Sequence, residues 1–226
     1  MRKIKDKIIK TLFQRNFGLI NYNYPEKKEI FGKIKNLGKR LNLRSEEAYM
    51  LFTLVKDLCK KRKGNLIEVG CFEGGSTKLI CEAKGENSLF VFDTFEGLPE
   101  VNEIDKSKKK FECNFKKGQY CSDYEDVKSY LKEYKNVFIK KGIFPKEGFK
   151  LVENKKFIFV HLDVDLYKST KDCLKFLYPR MEKGGVLISH DYSTAKGVKI
   201  AFEEFFKDKP EVVIELVGTQ CMFVKL

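Results

Sequence analysis

Two short stretches of this 226-residue chain carry side chains whose types and spacing suit chemistry at a polar ligand. In His161-Leu162-Asp163-Val164-Asp165 an imidazole and two carboxylates alternate, so an extended backbone turns all three to one side. His190-Asp191 follows a second apolar run, Val186–Ser189, and adjacent parallel strands would bring that pair beside Asp163. Clustered carboxylates are costly to bury unless a cation or hydrogen bonds compensate them. Asp163, His190 and Asp191 therefore form a candidate divalent-cation site. Oxygen-rich ligation favours Mg²⁺, and the imidazole leaves Mn²⁺ or another transition metal open. The competing reading is a pair of salt-bridged loops, with Asp165 held by Lys168. His161 reads as a satisfied core histidine rather than a ligand.

A second cluster lies upstream. In Leu66-Ile67-Glu68-Val69-Gly70-Cys71-Phe72-Glu73-Gly74-Gly75-Ser76-Thr77 an apolar run meets an acid and passes into a glycine-rich turn. That is how a parallel strand hands over to a helix around a nucleotide-like ligand. Gly70 allows the tight turn, Gly74 and Gly75 let the backbone approach the ligand, and Ser76 or Thr77 starts the helix. The spacing departs from G-x-G-x-x-G, because Cys71 and Phe72 follow Gly70. An acid just ahead of the first glycine fits S-adenosylmethionine better than a dinucleotide. That ligand has no pyrophosphate to seat on the helix, and its amino group suits a carboxylate. The competing reading is a turn that serves packing alone. The next apolar run, Leu89–Phe92, stops at Asp93-Thr94, where Asp93 is placed to accept hydrogen bonds from both ribose hydroxyls. Ser122 and Asp123 open a later helix and either reach the adenine edge or act as a plain cap.

These groups need a scaffold that gathers strand ends. Short apolar runs alternate with helical segments from residue 64 onward, the mark of a wound parallel α/β sheet. The expected strands are Leu66–Val69, Leu89–Asp93, Val137–Lys140, Phe157–Asp163, Val186–Ser189, Val212–Val217 and Met222–Lys225. Only Gly218-Thr219-Gln220-Cys221 separates the last two, which predicts an antiparallel hairpin. Five parallel strands closed by that hairpin describe a class I methyltransferase, Rossmann-like sheet of about seven strands. Helices are expected from Ser122 to Tyr134 through a capping box, from Ser169 to Pro179, and from Val198 to Phe206. Residues 1–63 read as a helical N-terminal extension, with Ser45 as a possible cap, and 64–226 as the catalytic domain. The charged stretch Glu100–Lys110, in a loop reaching Gln119, reads as a mobile lid or a solvated insertion.

Bulk properties bound the function. The chain is 42% hydrophobic with no apolar run of membrane-spanning length and no secretory signal pattern. Seven cysteines without a Cys-x-x-Cys pair read as buried thiols in a reducing cytoplasm, not as a zinc site. The net charge of +13 comes mostly from lysines spread along the chain, with few arginines for bidentate phosphate reading. It reads as a solvated surface rather than specific nucleic-acid recognition, with an anionic substrate or a membrane-surface assembly as alternatives.

Six motifs in order resemble one family. They are Glu68-Val-Gly-Cys-Phe-Glu-Gly-Gly-Ser76, Phe92-Asp-Thr-Phe-Glu-Gly-Leu-Pro99, Gly142-Ile-Phe-Pro145, Leu162-Asp-Val-Asp-Leu-Tyr-Lys-Ser-Thr170, Leu177-Tyr-Pro179 and Gly184-Gly-Val-Leu-Ile-Ser-His-Asp-Tyr192. Together they resemble the macrocin O-methyltransferase family, whose members methylate sugar hydroxyls in macrolide and aminocoumarin biosynthesis. The resemblance runs from about Ser45 to the C-terminus. It implies an S-adenosylmethionine-dependent, Mg²⁺-dependent O-methyltransferase, commonly a homodimer or larger. By motif, Glu68, Gly70, Gly74 and Ser76 would line the methionine end of the cofactor, with Asp93, Thr94 and Ser122 toward the nucleoside. Asp163 would touch cofactor and metal and serve as general base, with Asp191 a second ligand. Many members have Asp-Asp-Tyr where this chain has His190-Asp191-Tyr192. His190 is then a ligand, a base, or the sign of a lost metal.

The reaction this implies is in-line transfer of a sulfonium methyl to an acceptor oxygen. A cation would lower that oxygen's pKa, and Asp163 or His190 would take its proton. Tyr167, Tyr192 and Gln220 are expected on the acceptor side. A bacterial surface polysaccharide, a natural-product sugar or a sugar nucleotide is the expected acceptor. Two other classes stay open: a nicotinamide-dependent oxidoreductase, for which no clearly placed Tyr-x-x-x-Lys set is seen, and an RNA-binding or RNA-modifying protein on a similar sheet. The Asn-Pro-Pro-Tyr type of motif is absent, which disfavours nucleobase methylation.

Overall fold

In the computed structural model, residues 24–109 and 112–226 are described. Seven strands form one sheet in the order β3-β2-β1-β4-β5-β7-β6. They are β1 (Asn65–Val69), β2 (Leu89–Asp93), β3 (Val137–Lys141), β4 (Phe157–Leu162), β5 (Met181–Ser189), β6 (Ile214–Glu215) and β7 (Cys221–Val224). The first five run parallel, while β7 is antiparallel to both β5 and β6. This is the expected class I methyltransferase sheet. The β6–β7 hairpin pairs Ile214 with Met222 and Glu215 with Cys221, leaving β6 shorter than its apolar run suggests.

Strands β1, β2 and β4 read as near-continuous apolar runs, interrupted by the paired Glu68 and His161, because helices cover both faces. Alternation then sorts their side chains. Ile67, Val69, Phe90 and Phe92 join one core, while Leu66, Leu89 and Val91 join the other. The first core packs under α6 (Tyr167–Leu177) and α7 (Lys196–Phe206), through Leu174, Leu177, Val198 and Phe202. The second packs under α2 (Ser45–Lys61), α3 (Gly75–Ala83) and α4 (Tyr124–Leu131), through Leu51, Val55, Ile80, Val127 and Leu131. A short helix, α5 (Phe149–Val152), precedes β4. In the N-terminal region α1 (Pro25–Leu37) lays Ile30, Ile34 and Leu37 against Ala48, Phe52 and Leu79. The expectation of helix over residues 1–23 lies outside the described residues. Among the described residues, no helix is long and apolar enough to cross a membrane.

Several local expectations change. Helix α4 is capped by Asp123, whose carboxylate accepts the Asp126 N–H at 2.7 Å, while the Ser122 hydroxyl turns back to the Phe72 carbonyl at 2.8 Å. Ser45 supplies no cap; instead the Glu47 carboxylate reaches back to the Arg44 N–H at 2.8 Å. Helix α6 opens at Tyr167 rather than Ser169, because Asp105 caps it from a distant loop: Oδ1 accepts the Tyr167 N–H at 2.6 Å. That contact also overturns the solvated insertion. Asp105 is buried against Gly197, Phe115 joins the first core, and the Cys113 N–H bonds the Thr194 carbonyl at 2.8 Å. Of the cysteines, Cys71, Cys81, Cys173 and Cys221 are buried as expected, but Cys121 is exposed.

Candidate active site

Strand order reverses between β1 and β4, and the backbone ladder continues past the strand ends there. Gly70 N–H bonds the Phe92 carbonyl at 2.8 Å, Asp163 N–H the Val69 carbonyl at 2.9 Å, and His190 N–H the Leu162 carbonyl at 2.8 Å. The tips of β2, β1, β4 and β5 are thereby held edge to edge, where wound sheets bind ligands. Gly70 is required at this junction: its φ is +89°, and a Cβ would stand 1.8 Å from the Asp163 carbonyl oxygen.

A cleft opens over these tips, enclosing about 930 Å³ with its mouth. Gly70, Ser76, Asp93, Thr94, Asp163, His190 and Asp191, all expected in the site, line it. The sequence reading missed other lining groups. Arg40, Asn42 and Leu43 come from the segment between α1 and α2, and Tyr120 from the end of the Glu100–Gln119 loop. Tyr120 packs edge-on against Phe72 with ring centroids 5.8 Å apart. Only motif position, not residue chemistry, marked Ile143 and Phe144, which also line the cleft.

Seven expected residues lie elsewhere. Glu68 is fully buried beneath the turn, where Oε2 accepts the Thr77 hydroxyl at 2.5 Å and Oε1 meets His161 Nδ1 at 2.9 Å. It therefore braces the turn from below, and His161 is the expected core histidine. Gly74 starts α3 in the left-handed region, and a Cβ there would face Val127 and α4. Ser122 is committed to the outside of the turn, as above. Gly75, expected to admit the ligand, instead admits the chain's own backbone: a Cβ would stand 2.3 Å from the Arg40 carbonyl oxygen. Tyr167 donates to Glu204 at 2.7 Å and contacts Lys171, which is 2.6 Å from the same carboxylate. Tyr167 and Lys171 thus do have the Tyr-x-x-x-Lys spacing, but neither lines the cleft. Tyr192 packs edge-on against Phe202 in the first core, and Gln220 is fully buried, so neither reaches the cleft wall.

Asp93 is more committed than expected. Oδ2 accepts the Cys71 and Phe72 N–H groups at 2.8 and 2.9 Å, and Oδ1 accepts the Phe95 N–H at 2.8 Å. A carboxylate has about four acceptor positions, which leaves room for one ribose hydroxyl rather than two. Burial raises its pKa above the ordinary 3.8, and the three N–H bonds work against that rise.

At the tips of β4 and β5, Asp163, His190 and Asp191 each offer a ligand atom within 4.8 Å of the others. His190 Nδ1 faces Asp163 Oδ1 at 3.5 Å and Asp191 Oδ1 at 3.4 Å, while Nε2 faces Glu47 Oε2 at 3.1 Å. Burial opposes a charged imidazole, but Asp163 and hydrogen bonds to Asp163, Asp191 and Glu47 hold its pKa far above 6.5. Asp165 moves the opposite way to an ordinary carboxylate. Burial and the charges of Asp163 and Asp191 keep it protonated far above 3.8. The Asp165–Lys168 salt bridge of the competing reading is not formed: Lys168 pairs with Asp172 at 2.6 Å. Asp191 is lowered despite burial, by His190 and by hydrogen bonds from Asp165 and Thr194. A cleft floor with three carboxylates and an imidazole whose Nδ1 turns toward two of them fits a divalent cation.

The macrocin O-methyltransferase (TylF) family pattern matches residues 51–224. The chain belongs to this family. A 4'-O-methyltransferase of Streptomyces olivaceus, named for 8-demethyl-8-(2,3-dimethoxy-alpha-L-rhamnosyl)-tetracenomycin-C, is 30% identical over 142 residues, or 58% of this chain and 53% of that protein. Demethyldecarbamoylnovobiocin O-methyltransferase of Streptomyces niveus is 27% identical over 164 residues, covering 68% and 62%. The chain thus spans little more than half the length of these relatives. The solved structure of the O-methyltransferase NovP superposes with a TM-score of 0.65 at 22% identity, over 82% of each chain, and shares the fold.

Proposed function

We propose that this macrocin O-methyltransferase family member is an S-adenosylmethionine-dependent, divalent-metal-assisted O-methyltransferase acting on a sugar hydroxyl. The observation that carries the reading is the convergence of Asp163, His190 and Asp191 on one point of the cleft that also contains the Gly70 turn and Asp93. Gly70, Cys71 and Ser76 would hold the methionine end of the cofactor. Asp93 would take one ribose hydroxyl, with Thr94 beside it. Asp163, His190 and Asp191 would hold the cation. When bound, a divalent cation lowers the pKa of a coordinated hydroxyl and fixes its direction.

Asp163 is the base of this scheme. It takes the acceptor hydroxyl proton as the carbon–oxygen bond forms and the carbon–sulfur bond breaks, the electron pair staying on sulfur. The cleft residues otherwise align the two reactants and exclude water; Arg40, Asn42, Leu43 and Tyr120 wall the site against solvent. A sugar acceptor is supported by the rhamnosyl group in the name of the tetracenomycin relative. The lysine-rich surface suits an acceptor carried on an anionic sugar nucleotide or polysaccharide precursor. A cytoplasmic homodimer completes the proposal, and light scattering reads the subunit number.

Cofactor choice is tested by thermal unfolding with S-adenosylhomocysteine or NADH. At about 100 times its Kd a ligand adds about 2.7 kcal/mol to the folded state. S-adenosylhomocysteine should stabilise the protein and NADH should not. The reverse result would end the methyltransferase reading and revive the oxidoreductase one.

A further inference from the structure

Glu47 is a buried carboxylate with no part in the reaction above. It sits on α2, outside the sheet, yet is only 1% exposed. Oε1 accepts the Thr219 amide N–H at 2.7 Å and the Thr219 hydroxyl at 3.0 Å, and Oε2 accepts the Arg44 N–H at 2.8 Å. Its remaining partner is His190, 143 residues away, whose Nε2 lies 3.1 Å from Oε2. The β6–β7 loop is shaped to admit this carboxylate. Gly218 has φ +98°, and a Cβ there would stand 2.5 Å from Oε1.

The geometry decides where the imidazole proton sits. An ionised carboxylate only accepts, so the nitrogen facing it must carry hydrogen. Thr219 Oγ1 is 3.2 Å from the same Nε2 and already donates to Glu47, so it too accepts from that N–H. In the neutral ring the lone pair then belongs to Nδ1, which faces Asp163 and Asp191. Metal-bound histidines commonly give their other N–H to a carboxylate, which fixes ring and tautomer together. Mg²⁺ prefers oxygen donors, whereas imidazole nitrogen suits first-row transition cations.

We propose that Glu47 is a positioning residue that locks His190 with Nδ1 toward the cleft, giving a nitrogen-and-two-carboxylate site that selects Mn²⁺ over Mg²⁺. This rests on the metal-assisted reading and specifies its cation. The test measures Mn²⁺ and Mg²⁺ binding by calorimetry with S-adenosylhomocysteine present, and reads nitrogen modulation in the electron spin echo of bound Mn²⁺. Wild type should bind Mn²⁺ on the order of tenfold more tightly than Mg²⁺, with nitrogen modulation. Glu47→Gln can present an amide N–H to Nε2. It should weaken Mn²⁺ binding by about 10–100-fold while leaving S-adenosylhomocysteine affinity unchanged. His190→Asp should lose the modulation and reverse the preference. Thr219→Val, which removes the hydroxyl alone, provides a milder change in the same direction should Glu47→Gln fail to fold. Equal Mn²⁺ affinity in wild type and these clamp variants, or bound Mn²⁺ without nitrogen modulation, overturns the assignment and leaves metal assistance standing. No binding of either cation with S-adenosylhomocysteine still bound overturns both.

Discussion

At the scale of single residues, position along a strand decides which acids do chemistry. Asp163 stands one residue past the end of β4 and opens to the cleft. Glu68 stands inside β1, on the same side as Leu66, and is covered by α3 through Thr77. One rule separates them, although the sequence reading put Glu68 at the cofactor: a carboxylate within a strand is sealed under a helix, while one beyond the strand meets the ligand. His161 follows as well, since it is paired with Glu68 in the β1–β4 register. The roles of Tyr167, Tyr192 and Gln220 were not readable, because reach into the acceptor space depends on loop paths that no periodicity encodes. Asp163→Ala should lower turnover by about 10²–10⁴-fold, the usual worth of a positioned base. S-adenosylhomocysteine affinity by calorimetry should stay near wild type. Retained turnover in the presence of a chelator would remove both base and metal from the mechanism.

At the scale of elements, the cleft is closed by segments outside the strand–helix alternation, and these were the least legible. The N-terminal helices announced themselves by apolar spacing and were expected to help cover the site, but which of their residues line it was not legible. Glu47 shares the stripe of Leu51 and Val55 on α2, so a carboxylate at a buried helical position was a signal available in the sequence. Asp105 gave no such signal, because it caps a helix that begins 62 residues later. The Arg40–Leu43 segment is placed by contacts with the turn before α3 and with α4: Arg40 donates to the Glu73 carbonyl at 3.1 Å and to both Asp126 oxygens at 2.8 and 3.0 Å. Its backbone crosses Gly75 too closely for any side chain. Gly75→Ala should therefore lift this wall from the cleft, costing about 1–3 kcal/mol of stability by overpacking. It should also weaken S-adenosylhomocysteine binding. Gly32→Ala on α1, where a Cβ meets open space, is the control and should stabilise by about 0.5–1 kcal/mol. Equal cofactor affinity in both variants would detach the N-terminal segment from the site.

At the scale of the whole molecule, the active tips lie at one end of the sheet and the chain is fastened at the other side. Glu211, just ahead of β6, ties the last residues to the body. Oε1 accepts from Lys225 Nζ at 2.6 Å and the Leu226 N–H at 3.2 Å, and Oε2 accepts the Tyr178 hydroxyl at 2.7 Å. The β5–β7 pairing that carries His190 depends on this end staying docked, because β7 runs directly into Lys225. Burial would raise the Glu211 pKa, but bonds from Lys225 and Tyr178 lower it from 4.5 to about 2. A folded pKa below the unfolded value of about 4.3 gives stability that is complete above that value and is lost as pH falls toward about 2. Lys225 is raised by the same pair, so its share is complete below about 10.4 and disappears only as alkaline pH passes its folded pKa. Glu211→Gln should therefore unfold at lower urea concentration than wild type at neutral pH. The gap should narrow between about pH 4 and 2, where wild type also loses the charge. A gap that stays constant through that range would assign the cost of the substitution to packing, and the fastening to something other than this ion pair.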